Sequence, residues 1–169
     1  MKNKAMRGIC GSLMFAFAAC VLGGYQISGV SVAVAVILLA GVALDPLYAV
    51  LAPAFYLIVG IWLPVYPGLA HGTGVLFGGS GGFLLSLLLC GLIISAMRKG
   101  MRGYPFLATF VRLCAAFLLY FGIGILWEVV RTGVSFSAAL NAQLGMRCAL
   151  FGLDALLALF ASPTLYKAV

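Results

Sequence analysis

Residues 61–91 read IWLPVYPGLAHGTGVLFGGSGGFLLSLLLCG, a stretch that is both glycine-rich and strongly apolar. It contains no Asp, Glu, Lys or Arg, and it carries the large side chains Trp62, Tyr66, Phe77 and Phe83 among its glycines. A plain glycine linker would be polar and would behave as a flexible coil. We therefore expect this stretch to pack against the apolar segments on either side of it.

The composition of the whole chain indicates a membrane protein. Of the 169 residues, 65% are hydrophobic and only 8% are charged, whereas soluble domains carry about 25% charged residues. A spanning helix needs ~20 mostly apolar residues, so this length allows about six spans and no separate soluble domain. The apolar runs are continuous, which is typical of helices and not of barrel strands. The sequence predicts one all-α integral-membrane domain over residues 1–169.

Six transmembrane helices are predicted, and their ends are defined to within a few residues. They cover residues 7–25, 32–44, 47–64, 82–98, 105–127 and 138–161. The second is short, and we expect it to be tilted or partly re-entrant. With the N-terminus inside, the cytoplasmic segments hold seven basic residues and the outer connections hold only Arg131. The positive-inside rule then predicts cytoplasmic N- and C-termini in a multi-pass protein of the cell membrane, with the glycine-rich segment outside.

Several functions are excluded by which residue types are present and where they lie. The +7 net charge comes from bases at the chain ends and in one tight cluster, which is a topology signal and not a nucleic-acid face. The lone His71 cannot build a zinc site, and the five cysteines lie in apolar segments without CxxC spacing, which favours packing over metal binding or disulfides. An enzyme would need a nucleophile–base pair or a metal cluster. The sequence therefore predicts a protein that is not an enzyme and holds no metal or cofactor.

Three charged residues within the predicted spans are the first candidates for ligand binding, because charge is expensive in hydrocarbon. They are Arg112 in the fifth span and Arg147 and Asp154 in the sixth. Arg147 and Asp154 are two helical turns apart and share a face with Gln143 and Phe151. Asp154 could form a buried ion pair with either arginine, or the group could contact a ligand. Two bases accompany one acid, so one arginine remains for an anionic ligand.

The first span carries a small residue at every fourth position, which predicts a groove along one helix face. These residues are Gly8, Ser12, Ala16, Cys20 and Gly24. The groove fits another helix of the same chain, or a second subunit in a homo-oligomer or a larger assembly. A non-catalytic assembly subunit is one function that would use such a surface.

The glycine-rich segment resembles the BioY family, the biotin-binding S components of energy-coupling-factor (ECF) vitamin transporters. Ile61 to Tyr66 is similar to the family's Gly-Leu-Pro-Val-Phe-like stretch, and Pro67 to Gly74 to its glycine-rich loop. Gly78 to Phe83, reading GGSGGF, stands in place of its Gly-Pro-Thr-Gly-Gly-Tyr motif. Asp154 falls where the family has the Asp of its Asp-x-x-Lys motif, while Leu157 stands where the family has lysine.

This resemblance implies a six-helix subunit that binds biotin from the outer face and releases it inside. The small face of the first helix, around Ala16, would dock on a membrane coupling subunit that works with a pair of ATPases. Some members of the family are thought to work alone or as oligomers. Because Leu157 replaces the lysine, an S component for another vitamin-like molecule is the alternative.

The resemblance and the chemistry of biotin together suggest a role for each candidate residue. Asp154 would accept from the urea N–H groups, and the carboxylate would be held by Arg147 or Arg112. A donor to the urea oxygen would come from Ser80, Thr73 or Gln143. The apolar rings would be covered by Tyr66, Phe83 and Phe151, and Gly78 would bring backbone close to the ligand.

Overall fold

The computed structural model describes residues 2–24, 26–27, 30–97, 105–143, 152 and 156. Its helices are α1 Lys2–Gly23, α2 Val32–Ala43, α3 Pro46–Trp62, α4 Thr73–Leu76, α5 Gly81–Ala96 and α6 Pro105–Thr132. A further helix, α7, is described over residues 136–143. Between α1 and α2 lies a small antiparallel hairpin of β1 Gln26–Ile27 and β2 Val30–Ser31.

The helices follow the predicted spans closely. α1, α2, α3 and α5 match the first four spans to within a few residues, and α2 is as short as predicted. The fifth span is longer than predicted, because α6 continues to Thr132. The sixth begins at residue 136, and most of its predicted length lies outside the described residues. By length and composition, Ala5–Gly23 and Leu107–Thr132 could each cross a bilayer, and α2, α3 and α5 are shorter apolar helices.

α5 packs against α2, α3 and α6, and glycine lets it come close to α3. Pro53, inside α3, has no N–H to give to the carbonyl of Ala49. Gly91 of α5 lies against that same carbonyl, since a Cβ added there would be 2.7 Å from the Ala49 oxygen. The two helix backbones therefore meet where a side chain would keep them apart.

The small-residue face of α1 lies against α3 and the outer segment of the same chain. A Cβ at Gly8 would overlap the ring of Tyr48. Ser12 is fully buried and donates a hydrogen bond to the carbonyl oxygen of Tyr48 at 2.8 Å. Ala16 is buried as well, while Gly24 lies close to the side chain of Leu69. At Gly8, Ser12 and Gly24 this face packs within the chain, whereas Ala16 and Cys20 also line an open groove between α1 and α3. Docking of a second protein on this face stays a prediction.

Candidate ligand-binding site

The segment between α3 and α5 is a packed loop. Tyr66 is fully buried, its N–H donates to the carbonyl of Ala70 at 3.1 Å, and its hydroxyl donates to the carbonyl of Leu57 at 2.6 Å. The Tyr66 ring fills the space beside Gly60, where a Cβ would overlap it. Burial raises the pKa of Tyr66 to about 12, with a smaller contribution from Cys20. The aromatic side chain thus anchors the loop to α3, and its hydroxyl is already engaged.

The other end of the loop is held by the outer end of α6. The indole N–H of Trp127 donates to the carbonyl of Gly78 at 2.9 Å, and Arg131 Nε donates to the carbonyl of Phe77 at 2.8 Å. The Arg131 guanidinium also lies over the Trp127 ring, 5.9 Å from its centroid. We call Trp127 and Arg131 the latch. It ties the glycine-rich motif to α6 immediately before α5 begins.

Below the latch, α5 and α6 enclose an aromatic cluster. Phe83, in the first turn of α5, is 3% exposed. Its ring centroid lies 5.3 Å from that of Tyr120 and 6.5 Å from that of Phe121. The ring contacts the backbone of Gly124, where a Cβ would overlap it. Phe117 extends the cluster through Phe121, with a centroid distance of 4.6 Å. These four rings pack against one another between α5 and α6, and we call them the aromatic wall.

Arg112 lies deeper in the bundle, on the same helix as most of the aromatic cluster. Its side chain is fully buried, and it is among the largest fully buried side chains. None of its three guanidinium nitrogens has a hydrogen-bond partner within the described part of the chain. Buried polar groups in proteins are nearly always hydrogen-bonded, and an unpaired buried charge is costly. The guanidinium is therefore left to bind a group that is not among the described residues.

Helix packing places Arg112 at the inner end of the aromatic wall. The Cys90 thiol of α5 donates to the carbonyl of Ala116 at 3.3 Å, which aligns the two antiparallel helices at that level. Arg112 is one turn of α6 below Ala116, and Thr109, also fully buried, is nearly one turn further. Tyr120 is one turn above Ala116. The inner face of α6 therefore changes from polar to small to aromatic along its length.

The other predicted site residues fall into three groups. Thr73, at the start of α4, and Ser80, immediately before α5, are exposed loop residues. Gln143 donates to both carboxylate oxygens of Glu128, at 3.2 and 3.0 Å, which joins α7 to α6. Arg147, Phe151 and Asp154 lie outside the described residues. Three predicted residues belong to the regions described above. Phe83 is part of the aromatic cluster, Arg112 lies at the inner end of that cluster, and the Gly78 carbonyl accepts from Trp127 of the latch.

Sequence reasoning missed the latch. Glu128 and Arg131 are three residues apart on α6 but have different partners, since Arg131 donates to a loop carbonyl and Glu128 accepts from Gln143. Both latch bonds end on backbone oxygens, which carry no sequence signal. The available hint was Trp127 four residues before Arg131, which places both on one helix face.

Comparison with known proteins agrees with this architecture. A family model described as the BioY family matches residues 1–169. Over 87 residues the chain is 39% identical to the biotin transporter BioY2 of Lactococcus lactis subsp. cremoris (strain MG1363), an alignment that covers 51% of this chain and 47% of that protein. The matched part is thus about half the length of that relative.

The fold is shared with a solved S component. The crystal structure of the S component for biotin from an ECF-type ABC transporter matches 99% of this chain and 94% of its own, with a TM-score of 0.86 and 19% identity. The family match extends over the whole chain. The chain therefore belongs to the BioY family.

Proposed function

We propose that this protein is the substrate-binding membrane subunit of a biotin uptake system. It binds biotin from the outer face and releases it inside together with an ATP-driven coupling module. The observation that carries the proposal is the BioY family match over all 169 residues. ATP hydrolysis is assigned to partner subunits, because the chain has no phosphate-binding loop ending in Gly-Lys-Ser/Thr.

The described part of the bundle supports this assignment with groups suited to an amphipathic acid. The aromatic cluster offers an apolar wall, and Arg112 supplies a buried cation beneath it. A small-molecule site generally combines apolar walls with few polar groups, as this one does. The urea ring of biotin would meet polar groups of the sixth span, where we place Asp154, Gln143 and Arg147. Thr73 and Ser80 are exposed while the loop is latched, so they would contact the ligand only after the loop has moved.

In the proposed orientation, both termini are cytoplasmic in a cell membrane and the latched loop faces outside. Basic residues at the chain ends and between α5 and α6 favour this topology. The loop then acts as a lid, and its opening admits the ligand. A membrane coupling subunit and an ATPase pair would drive release, and the groove beside Ala16 and Cys20 on α1 stays the predicted docking surface.

Uptake by cells tests the proposal. A biotin-requiring host that expresses this chain with an ECF coupling module should accumulate labelled biotin faster than the same host with the module alone. Expression of the chain without the module shows whether the partners are needed. If the chain with the module gives no more uptake than the module alone, the proposed transport function is wrong.

Leu157 favours a second candidate, an S component for another vitamin-like acid. The family lysine is absent at that position, so the polar contacts to the ligand differ from the family pattern. A panel of vitamins tested by thermal shift separates the candidates, because a ligand at 100 times its Kd stabilises the native state by about 2.7 kcal/mol. Biotin should give the largest shift. A larger shift with another compound would reassign the substrate and keep the architecture.

A further inference from the structure

The guanidinium of Arg112 is a charge without a visible counter-charge. It is fully buried, so its charge does not reach water by extending along the helix, as lysine and arginine near membrane surfaces often do. Its Nε, Nη1 and Nη2 atoms are unpaired among the described residues. Removing such a group from water is costly unless an anion accompanies it. A chain that retains an arginine here needs something to compensate the charge.

The described acids do not provide this compensation. Glu128 is 16 residues further along α6, about 24 Å up the helix axis, and its carboxylate is engaged by Gln143. Asp45 precedes α3 and has interactions of its own, and it accepts no hydrogen bond from Arg112. Of the three acids in the chain, Asp154 remains. The Asp154 carboxylate is therefore the alternative to a ligand carboxylate as the partner of Arg112, and the stability experiment below separates the two.

We propose that Arg112 binds the carboxylate of the transported ligand and thereby supplies the cation that is missing at Leu157. This inference rests on the proposed function. An arginine fork pairs with a carboxylate through two parallel hydrogen bonds, which gives both strength and orientation. The anion would enter with the ligand, so the charge of Arg112 is compensated only in the loaded state.

The position of Arg112 fixes which end of the ligand it meets. Tyr120 is eight residues further along α6, about 12 Å up the helix axis, and its ring packs against Phe83. Between them on the same helix face lies Ala116, which has a small side chain and is fully buried. A monoanionic acid with an apolar body therefore lies with its rings at the aromatic cluster and its carboxylate at Arg112. An arrangement of this kind selects the free acid over its neutral esters.

The test compares biotin with biotin methyl ester in the wild type, Arg112→Gln and Arg112→Lys. The wild type should prefer the acid by about 10- to 100-fold, the usual range for a buried charge-assisted pair. Arg112→Gln should lose most of that preference through weaker acid binding, with ester affinity within about 3-fold of the wild type. Arg112→Lys should retain part of the preference for the acid, because lysine keeps the positive charge without the guanidinium fork. Arg7→Gln, at an exposed position of α1, is the matched control and should change neither affinity.

The outcomes separate this inference from the proposed function. Absence of biotin binding by the wild type would defeat the proposed function. Wild-type binding with an undiminished acid preference in Arg112→Gln would defeat the inference alone. Equal loss of acid and ester binding in both Arg112 variants would also overturn it, because it would indicate a structural role.

Stability without ligand decides between a ligand and Asp154 as the counter-charge. If Arg112 is uncompensated in the empty protein, Arg112→Gln should raise the melting temperature, since an unpaired buried charge is removed. If Arg112 is paired with Asp154, Arg112→Gln should lower the melting temperature, because the Asp154 carboxylate loses its counter-charge. A lower melting temperature that Asp154→Asn restores in the double variant would overturn the proposal even if biotin does not bind.

Discussion

Phe83 lies where it does because residue 124 is glycine. A Cβ at Gly124 would overlap the Phe83 ring, and Phe83 is itself the residue around which the aromatic cluster forms. Forcing an extra methyl group into a packed core typically costs about 1–3 kcal/mol. We predict that Gly124→Ala lowers the melting temperature of the purified protein and weakens ligand binding, because the ring must move.

Gly122 provides the matched control on the same helix. It is exposed, and a Cβ there would meet nothing within 4 Å. Gly122→Ala should leave binding unchanged and stabilise α6 slightly, by up to about 1 kcal/mol from helix propensity. If the two alanine variants behave alike, the close packing of Phe83 on α6 is incorrect.

The sequence predicted the roles of some residues better than those of others. The cost of charge in hydrocarbon identified Arg112 as a candidate, because few residues in the predicted spans are charged. That its guanidinium has no hydrogen-bond partner among the described residues depends on which side chains surround it, and spacing in the sequence does not reveal this. Contact of Tyr66 with the ligand stays a prediction, and the structure adds that its hydroxyl donates to the carbonyl of Leu57 in α3. A tyrosine in a loop has the same sequence signal in either role.

At the scale of elements, the latch links the outer loop to α6. Trp127→Phe removes the N–H donor while keeping an aromatic ring, and Arg131→Gln removes the charge that contacts Phe77. Each hydrogen bond contributes about 0.5–1.5 kcal/mol. We predict that either change speeds hydrogen–deuterium exchange in residues 63–80 by up to about 10-fold and raises the rate of biotin release.

The control for the latch is Val130, which lies between the two residues on α6 and is 80% exposed. Val130→Ala should leave both exchange in the loop and ligand release unchanged. Unchanged exchange in Trp127→Phe and Arg131→Gln would show that the loop is held by its own packing on α3, through Tyr66, and that the latch has no role as a closure.

The elements themselves were largely predictable, because long apolar runs and flanking glycine and proline mark helix limits. The Asp45-Pro46 pair ends the α2–α3 turn, with proline in the first turn of α3 where no N–H is needed. The face of α1 was ambiguous for a physical reason. Small residues at four-residue spacing favour close approach to any helix, and the sequence does not say which helix is near.

At the scale of the whole molecule, the proposed topology places the latched loop outside the cell. Thr73 is exposed in this loop. We predict that Thr73→Cys reacts with a membrane-impermeant maleimide in intact cells, while the unmodified chain does not, since its five cysteines lie in apolar segments. Labelling only after the cells are opened would reverse the orientation and place the site on the inner face.

Biotin binding by this chain can be measured at equilibrium with the purified protein in lipid nanodiscs. We expect saturable binding of one biotin per chain with a Kd below about 1 µM, accompanied by a melting temperature that rises with biotin concentration. No saturable binding and no thermal shift up to about 1 mM biotin would contradict it.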